Sequence, residues 1–262
     1  MKKLKIIIIS IVFGLISSGC ASKEEGTTYE KILENKVIRV ASEGTYAPFS
    51  YYEGDKLVGY DIEIMEAVAK ELGVKVDFIE TKWDGMIAGL DASKYDMVAN
   101  QVGITEERQE KYLFSNPYTY SKGVIIVSND NVDITSFETL KGKKTAQTIT
   151  SNWAKIAEEY GAEIVGTDGF DQSISLVTQG RVDATLNDNV TYLDYINNKP
   201  DAKVKIVATS NEVSKTAFLF RSEDKDLQDA INKALEKLEN EGVLKEISEK
   251  YFGSDISSEV GE

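Results

Sequence analysis

From Val37 onward the chain alternates short apolar runs with amphipathic segments, and partway along it starts the same rhythm again. "VIRVAS" at Val37–Ser42 reads as a strand. "DIEIMEAVAKELG" sets Ile62, Met65, Val68, Ala69 and Leu72 at helical spacing, with Gly73 as the stop. "VKVDFIE" alternates as a strand, "WDGMIAGLDASKYD" reads as helix and loop, and "MVANQV" and "GVIIVS" read as buried strands. The second round runs from "KKTAQTI" through "SNWAKIAEEYG", "AEIVGT", "FDQSISLVTQG" and "VDATLND" to "VTYLDYINNK". Two further strands, "VKIVATS" and "KTAFLFR", precede a long helical C-terminus. A helix between consecutive strands makes them parallel and covers a sheet face, so two such runs predict two α/β lobes. A length of 262 residues suffices for two cores.

The C-terminal helices bring no new strands and must pack on an existing lobe. Residues 29–118 and 216–255 are therefore expected to form a discontinuous lobe 1, and residues 119–215 lobe 2. The chain then crosses between lobes near residues 116–123 and 210–216. Two crossings make a hinge, and a hinge between α/β lobes makes a cleft.

The N-terminus reads differently. Lys2, Lys3 and Lys5 precede an apolar stretch at residues 6–16 that is too short to span a bilayer comfortably, followed by Ser17, Ser18, Gly19 and the single cysteine, Cys20. This is the layout of a secretory signal over residues 1–19, with a polar tether at 20–28. It resembles a bacterial lipoprotein signal, in which the cysteine is lipidated, although Ser17 stands where relatives usually carry Leu. The alternative is plain secretion with a spare cysteine. A net charge of −14 disfavours nucleic acid and anionic membrane surfaces as partners. With no histidine and one cysteine, the usual zinc ligand sets, a Ser-His-Asp triad, an internal disulfide and an iron–sulfur cluster are excluded, and no cofactor or metal is expected.

In open α/β sheets ligands bind beyond the carboxyl ends of the strands, and four such corners stand out. In "ANQVGITEER", Gly103 allows close backbone approach, Thr105 is a good N-cap, and Arg108 can swing over the helix end; free N–H groups with a guanidinium suit a carboxylate. A capped surface helix with a solvated arginine fits the same letters. In "EGTYAPFSYY", Tyr46 and Phe49 either wall a pocket or fill the core of a hairpin, while Tyr51 and Tyr52 read as structural. In "TITSNW", Thr150 or Ser151 caps a helix or adds donors to the same anion. In "GRVDATLND", Asp188 either meets an ammonium group or caps the next helix. Trp83 lies at the cleft or anchors its helix to the core. Together the corners offer an anion seat in one lobe and a carboxylate in the other, which suits an α-amino acid that closes the cleft by bridging it.

These stretches, with "GYDIEIMEAVAKELG", "WDGMIAGLDASKYDMVANQVGITEERQEKYLFSNPY" and the ending "LEKLENEGVLKEISEKYFG", resemble the family 3 solute-binding proteins of polar amino-acid ABC importers from about Tyr29 to Gly253. The resemblance implies a type II periplasmic-binding-protein-like fold of two α/β lobes joined by two hinge strands. It implies that Arg108 pairs with the ligand α-carboxylate, helped by N–H groups of Gly103 and Thr105 and by Thr150. Asp188 would take the α-ammonium, and Phe49 would stack on the ligand side chain with Tyr46 nearby. Ile149 departs from the glycine of many relatives, which weakens the Thr150 assignment. "TKWDGMIAGL", "ANQVGIT" and "TSNW" are similar to the cystine- and cysteine-binding branch, where Trp83, Asn100 and Gln101 would face the ligand; sulfur packs well on such rings. Relatives that bind arginine or lysine bring extra acids, for which only Glu43 and Asp84 are candidates here. The expected partners are an amino acid and permease subunits, with the chain acting as a lipid-anchored monomer and not as an enzyme. A dehydratase or a surface adhesin on the same fold are the alternatives.

Overall fold

The computed structural model describes residues 26–259. The signal and Cys20 readings lie outside them. The first element is a helix, α1 (Thr28–Asn35), started by a capping box between Thr27 and Glu30. This helix and its cap overlap the end of the tether expected at residues 20–28, because Thr and Glu at that spacing satisfy each other's backbone N–H groups. The first half continues with β1 (Val37–Ser42), a hairpin of β2 (Tyr51–Glu53) and β3 (Lys56–Val58), α2 (Tyr60–Leu72), β4 (Lys75–Glu80), α3 (Trp83–Asp91), β5 (Met97–Gly103), the short α4 (Glu106–Gln109) and β6 (Tyr112–Phe114). Next come β7 (Thr119–Ser128), β8 (Lys144–Gln147), α5 (Asn152–Glu159), β9 (Glu163–Gly166), α6 (Phe170–Thr178), β10 (Ala184–Asp188) and α7 (Asn189–Asn198). The chain returns through β11 (Val204–Arg221) to α8 (Lys225–Asn240) and α9 (Val243–Phe252).

Nine strands form one sheet in the order β4-β1-β5-β11-β7-β10-β8-β9, with β6 added on β11. The pairs at both flanks are parallel: β1 with β4 and β5, and β8 with β9 and β10. The centre is antiparallel, built on β7 and β11. The expected strands at 204–210 and 215–221 are a single strand of 18 residues. The polar run between them hides no side chains, yet its backbone stays on β7, with Val213 opposite Lys122 and Thr216 opposite Thr119 after a register shift beyond Thr209. A ladder needs only backbone partners, so a lapse in apolar pattern does not end a strand.

Each half has its own core. In the first, Ile38, Val40, Met65, Val68, Phe218 and Phe220 pack with Leu227, Ile231, Leu235 and Ile247 of the C-terminal helices, while Met86, Leu90 and Val98 form a layer on the other face. In the second, Val124, Ile126, Ile174 and Val177 fill one face, and Ile125, Val127, Leu140 and Leu186 the other. The C-terminal helices therefore lie on the first half. Gly242, at φ +77°, breaks what reads as one long helix into α8 and α9. The strands β7 and β11 tie the halves, and the carboxyl ends of β1, β5, β8 and β10 face a shared cleft.

Candidate functional site

The cleft holds about 500 Å³ of space not filled by atoms, counting its mouth. Glu43, Tyr46, Trp83, Asn100 and Gln101 line it from the first half, and Ser151, Trp153, Phe170, Asn187 and Asp188 from the second. The halves touch directly. The Tyr46 hydroxyl donates to Asn187 Oδ1 at 3.1 Å and lies 3.2 Å from the Thr191 hydroxyl. This is a closed arrangement.

Arg108 sits on α4, whose N-cap is Thr105; the Thr105 hydroxyl accepts the Arg108 N–H at 3.3 Å. The guanidinium is only 9% exposed and folds back, donating to the Gly103 carbonyl at 2.9 Å and to the Thr150 carbonyl across the cleft at 3.4 Å. Its carbon stands 5.4 Å from the Trp83 ring centroid, and it lies behind that ring and does not line the enclosed space itself. Burial pulls its pKa down to about 10. Among the described residues it has no carboxylate in ion-pair range, since the neighbouring Glu107 pairs with Lys155 at 2.7 Å. A buried guanidinium served only by carbonyls favours an anion. Gly103 and Thr105 thus hold Arg108 in place, and neither lines the enclosed space. A Cβ at Gly103 would meet Asn152 at an ordinary 3.5 Å, so no clash demands glycine there.

Thr150 is placed differently from the anion seat expected of it. It is exposed at the cleft lip, and its N–H and hydroxyl both go to Asp84 Oδ1, at 3.0 and 2.8 Å. The helix cap is Ser151, which accepts the Ala154 N–H at 3.1 Å and lines the cavity.

Asp188 ends β10 at the N-cap position of α7, but its side chain makes no capping bond. It is 4% exposed and lines the cavity, receiving the Ser121 hydroxyl. Burial pushes its pKa up to about 6, against the help of that donor. No lysine or arginine pairs with it among the described residues. Trp153 reaches this place because the hinge strand carries Gly123 beneath it: a Cβ there would come within 2.6 Å of the ring. Trp153, Ser121, Asn187 and Phe170 were not singled out from sequence. Trp153 had a signal, lying in the first turn after a strand, on the side facing the cleft.

On the opposite wall Asn100, fully buried, is spent on its neighbours. Its Nδ2 donates to Glu43 Oε2 at 2.7 Å, and its Oδ1 accepts the Glu43 N–H at 2.9 Å. Glu43 is thereby aimed along the cavity wall, and burial raises its proton affinity. Gln101 takes a left-handed backbone, φ +49°. Its N–H and Nε2 donate to Asp61 at 2.8 and 2.6 Å, Nε2 also reaches Thr119 at 3.1 Å, and Oε1 accepts from Thr216 at 2.9 Å. Both residues border the cleft, but their polar atoms serve Glu43 in one case and the hinge strands in the other. Trp83 keeps a buried ring N–H with no partner among the described residues. Phe49 is no wall. It is fully buried, packed on Tyr46 at 5.0 Å and on Phe252 at 5.8 Å, because α9 covers the loop that carries it.

A model of the bacterial extracellular solute-binding proteins, family 3, matches residues 38–254. The L-cystine-binding protein TcyA of Bacillus subtilis is 44% identical over 236 residues, covering 89% of this chain and 88% of that protein. Among solved structures, the L-cystine solute receptor of Neisseria gonorrhoeae, in its unliganded open conformation, is 43% identical, with 88% of this chain and 100% of that one covered and a TM-score of 0.59. An ancestral arginine-binding protein bound to arginine is 37% identical, with 83% and 99% covered and a TM-score of 0.78.

Proposed function

The chain belongs to the bacterial extracellular solute-binding proteins of family 3, and from that membership we propose that it captures a free α-amino acid, L-cystine, and delivers it to an ABC importer. One observation carries the reading. Asp188 lines the cleft from the second half and Arg108 lies buried in the first half against Trp83, which lines it too, and each charge is served only by uncharged groups among the described residues. A zwitterion satisfies both, its carboxylate at the guanidinium and its ammonium at the aspartate. Only the closed arrangement brings the two charges onto the same ligand, so binding and closure are one event. The chain matches the arginine-bound neighbour in shape better than the unliganded open one, although the open one is closer in sequence; a closed cleft accounts for that order.

The choice of cystine rests on the names of the relatives and on the walls. Tyr46, Trp83 and Trp153 offer faces for sulfur, and Glu43, on the cavity wall, offers a carboxylate to a second ammonium. Glu43 would equally serve a guanidinium, which makes arginine the competing ligand. Titration calorimetry with L-cystine, L-cysteine, L-arginine, L-lysine and L-glutamine decides between them. Sub-millimolar binding with cystine tightest is the expected result; no binding by any of them overturns the reading.

In this reading residues 29–118 with 216–255 form one jaw and 119–215 the other. Cys20 carries a lipid that holds the monomer at the outer face of the membrane beside its permease, and no step of catalysis is involved. Intact mass spectrometry of protein from its native host tests the anchor: a diacylglyceryl-modified Cys20 as first residue is expected, and an unmodified one refutes it.

A further inference from the structure

The entry to α3 reaches across the cleft twice. Lys82, its N-cap residue, places Nζ 2.7 Å from Asp168 Oδ2, and Asp84, in its first turn, accepts both donors of Thr150. Trp83, between them, lines the cavity. The two loops that are gripped carry cavity wall of their own: Thr150 precedes Ser151 and Trp153, and Asp168 precedes Gly169 and Phe170. None of Lys82, Asp84, Thr150 and Asp168 lines the enclosed space itself. We propose that residues 82–84 form a clasp that sets how long an amino acid stays bound, without selecting which one. The inference rests on the amino-acid-binding reading above and adds a separate device to it.

The chemistry fits a rim device. The Lys82–Asp168 pair is exposed at both ends, 73% and 70%, so it is fully screened by water and salt and worth little in any open geometry. It forms only when the second half is down. The Asp84 contact is stronger, because one carboxylate oxygen takes a backbone N–H and a hydroxyl together. It also steadies the Thr150 carbonyl that receives Arg108. These ties favour the closed over the open arrangement irrespective of what lies inside. Such a bias acts on ligand escape, since an encounter with the open form precedes them.

Stopped-flow fluorescence reads this directly, because both tryptophans of the chain, Trp83 and Trp153, line the cavity. With L-cystine as the probe, Asp84→Ala is expected to raise the dissociation rate about 5- to 20-fold, with the association rate within about twofold of the parent. Lys82→Asp should raise it about three- to fivefold, and adding Asp168→Lys should restore it. Asp84 also adds to the proton affinity of Glu43, so the swapped pair is the cleaner arm. Dissociation unchanged in Asp84→Ala, or no rescue by the swapped pair, overturns the clasp. A second measurement separates it from the ligand reading. Spin labels at positions 66 and 132, one on each half, in a Cys20→Ser chain without added amino acid, should show a wider distance distribution in Asp84→Ala. An identical distribution also overturns the clasp, whereas failure of the parent to bind any amino acid overturns only the ligand reading.

Discussion

Replacing Asp188 by asparagine keeps the shape of the side chain and removes its charge. In the closed arrangement the carboxylate is 4% exposed, and burial lifts its pKa from 3.8 to about 6. That rise corresponds to about 3 kcal/mol, to order of magnitude, for holding the anion there at neutral pH with no cation beside it. An ammonium group would remove the penalty, and so would an opening that lets water reach the carboxylate. Two opposite consequences follow for Asp188→Asn. Affinity for L-cystine should drop by about 2–5 kcal/mol, or roughly 30-fold to several thousandfold, as expected when one member of a buried charge pair is lost. Without added amino acid, the closed form should gain population, since Asn can still exchange a bond with Ser121. Calorimetry measures the first consequence, and small-angle scattering, as a smaller radius of gyration, the second. The variant should melt no lower than the parent. If it binds cystine as tightly as the parent, Asp188 does not hold the ammonium. If its scattering matches the parent while its melting temperature falls by several degrees, the buried charge is not what holds the jaws apart.

Arg108→Lys keeps a positive charge but loses the planar fork, and should weaken cystine binding by about 1–3 kcal/mol in calorimetry; equal affinity would show that the fork is not used. Binding should depend on pH through Asp188: burial raises its pKa, to about 6 in the closed arrangement and less where opening hydrates it, so affinity should be flat near pH 7.5 and fall on acidification once the carboxylate that holds the ammonium is protonated, at or below that value. An affinity that rises on acidification contradicts this sign. Phe49→Ala should lower stability by about 3–5 kcal/mol in urea unfolding, since it empties a fully buried aromatic site, while Tyr46→Phe should cost cystine affinity and little stability. The reverse pattern would return Phe49 to the binding surface.

The alternation of strands and helices was legible because burial imposes a period, and a period survives in one dimension. The two crossings were legible for the same reason, since the second round of strands starts afresh. The join within β11 was not, because Val213 and Ser214 stay on the ladder through backbone bonds that leave no mark on side-chain pattern. Arg108 and Asp188 could be picked out as charged residues at strand ends, but a cap and a ligand seat share the same letters. The contacts exclude only the plainer readings: Asp188 makes no cap bond, and the Arg108 guanidinium lies inside rather than in solvent. The ring at Phe49 reads alike as wall or core until Phe252, far along the chain, is seen to cover it. Gln101 is harder still. Its side chain goes to residues 18 and 115 positions away, which no local spacing foretells.

The double duty of Gln101 bears on any attempt to turn this scaffold into a sensor for a different metabolite. The residue borders the pocket, while its amide is pinned to the two strands that join the halves and to a carboxylate, Asp61, whose pKa burial lifts to about 7. Redesign at this position would retune the spring along with the selectivity, and would couple the response to acidity. Glu43 and Trp83 form a palette that can be repainted without touching that spring.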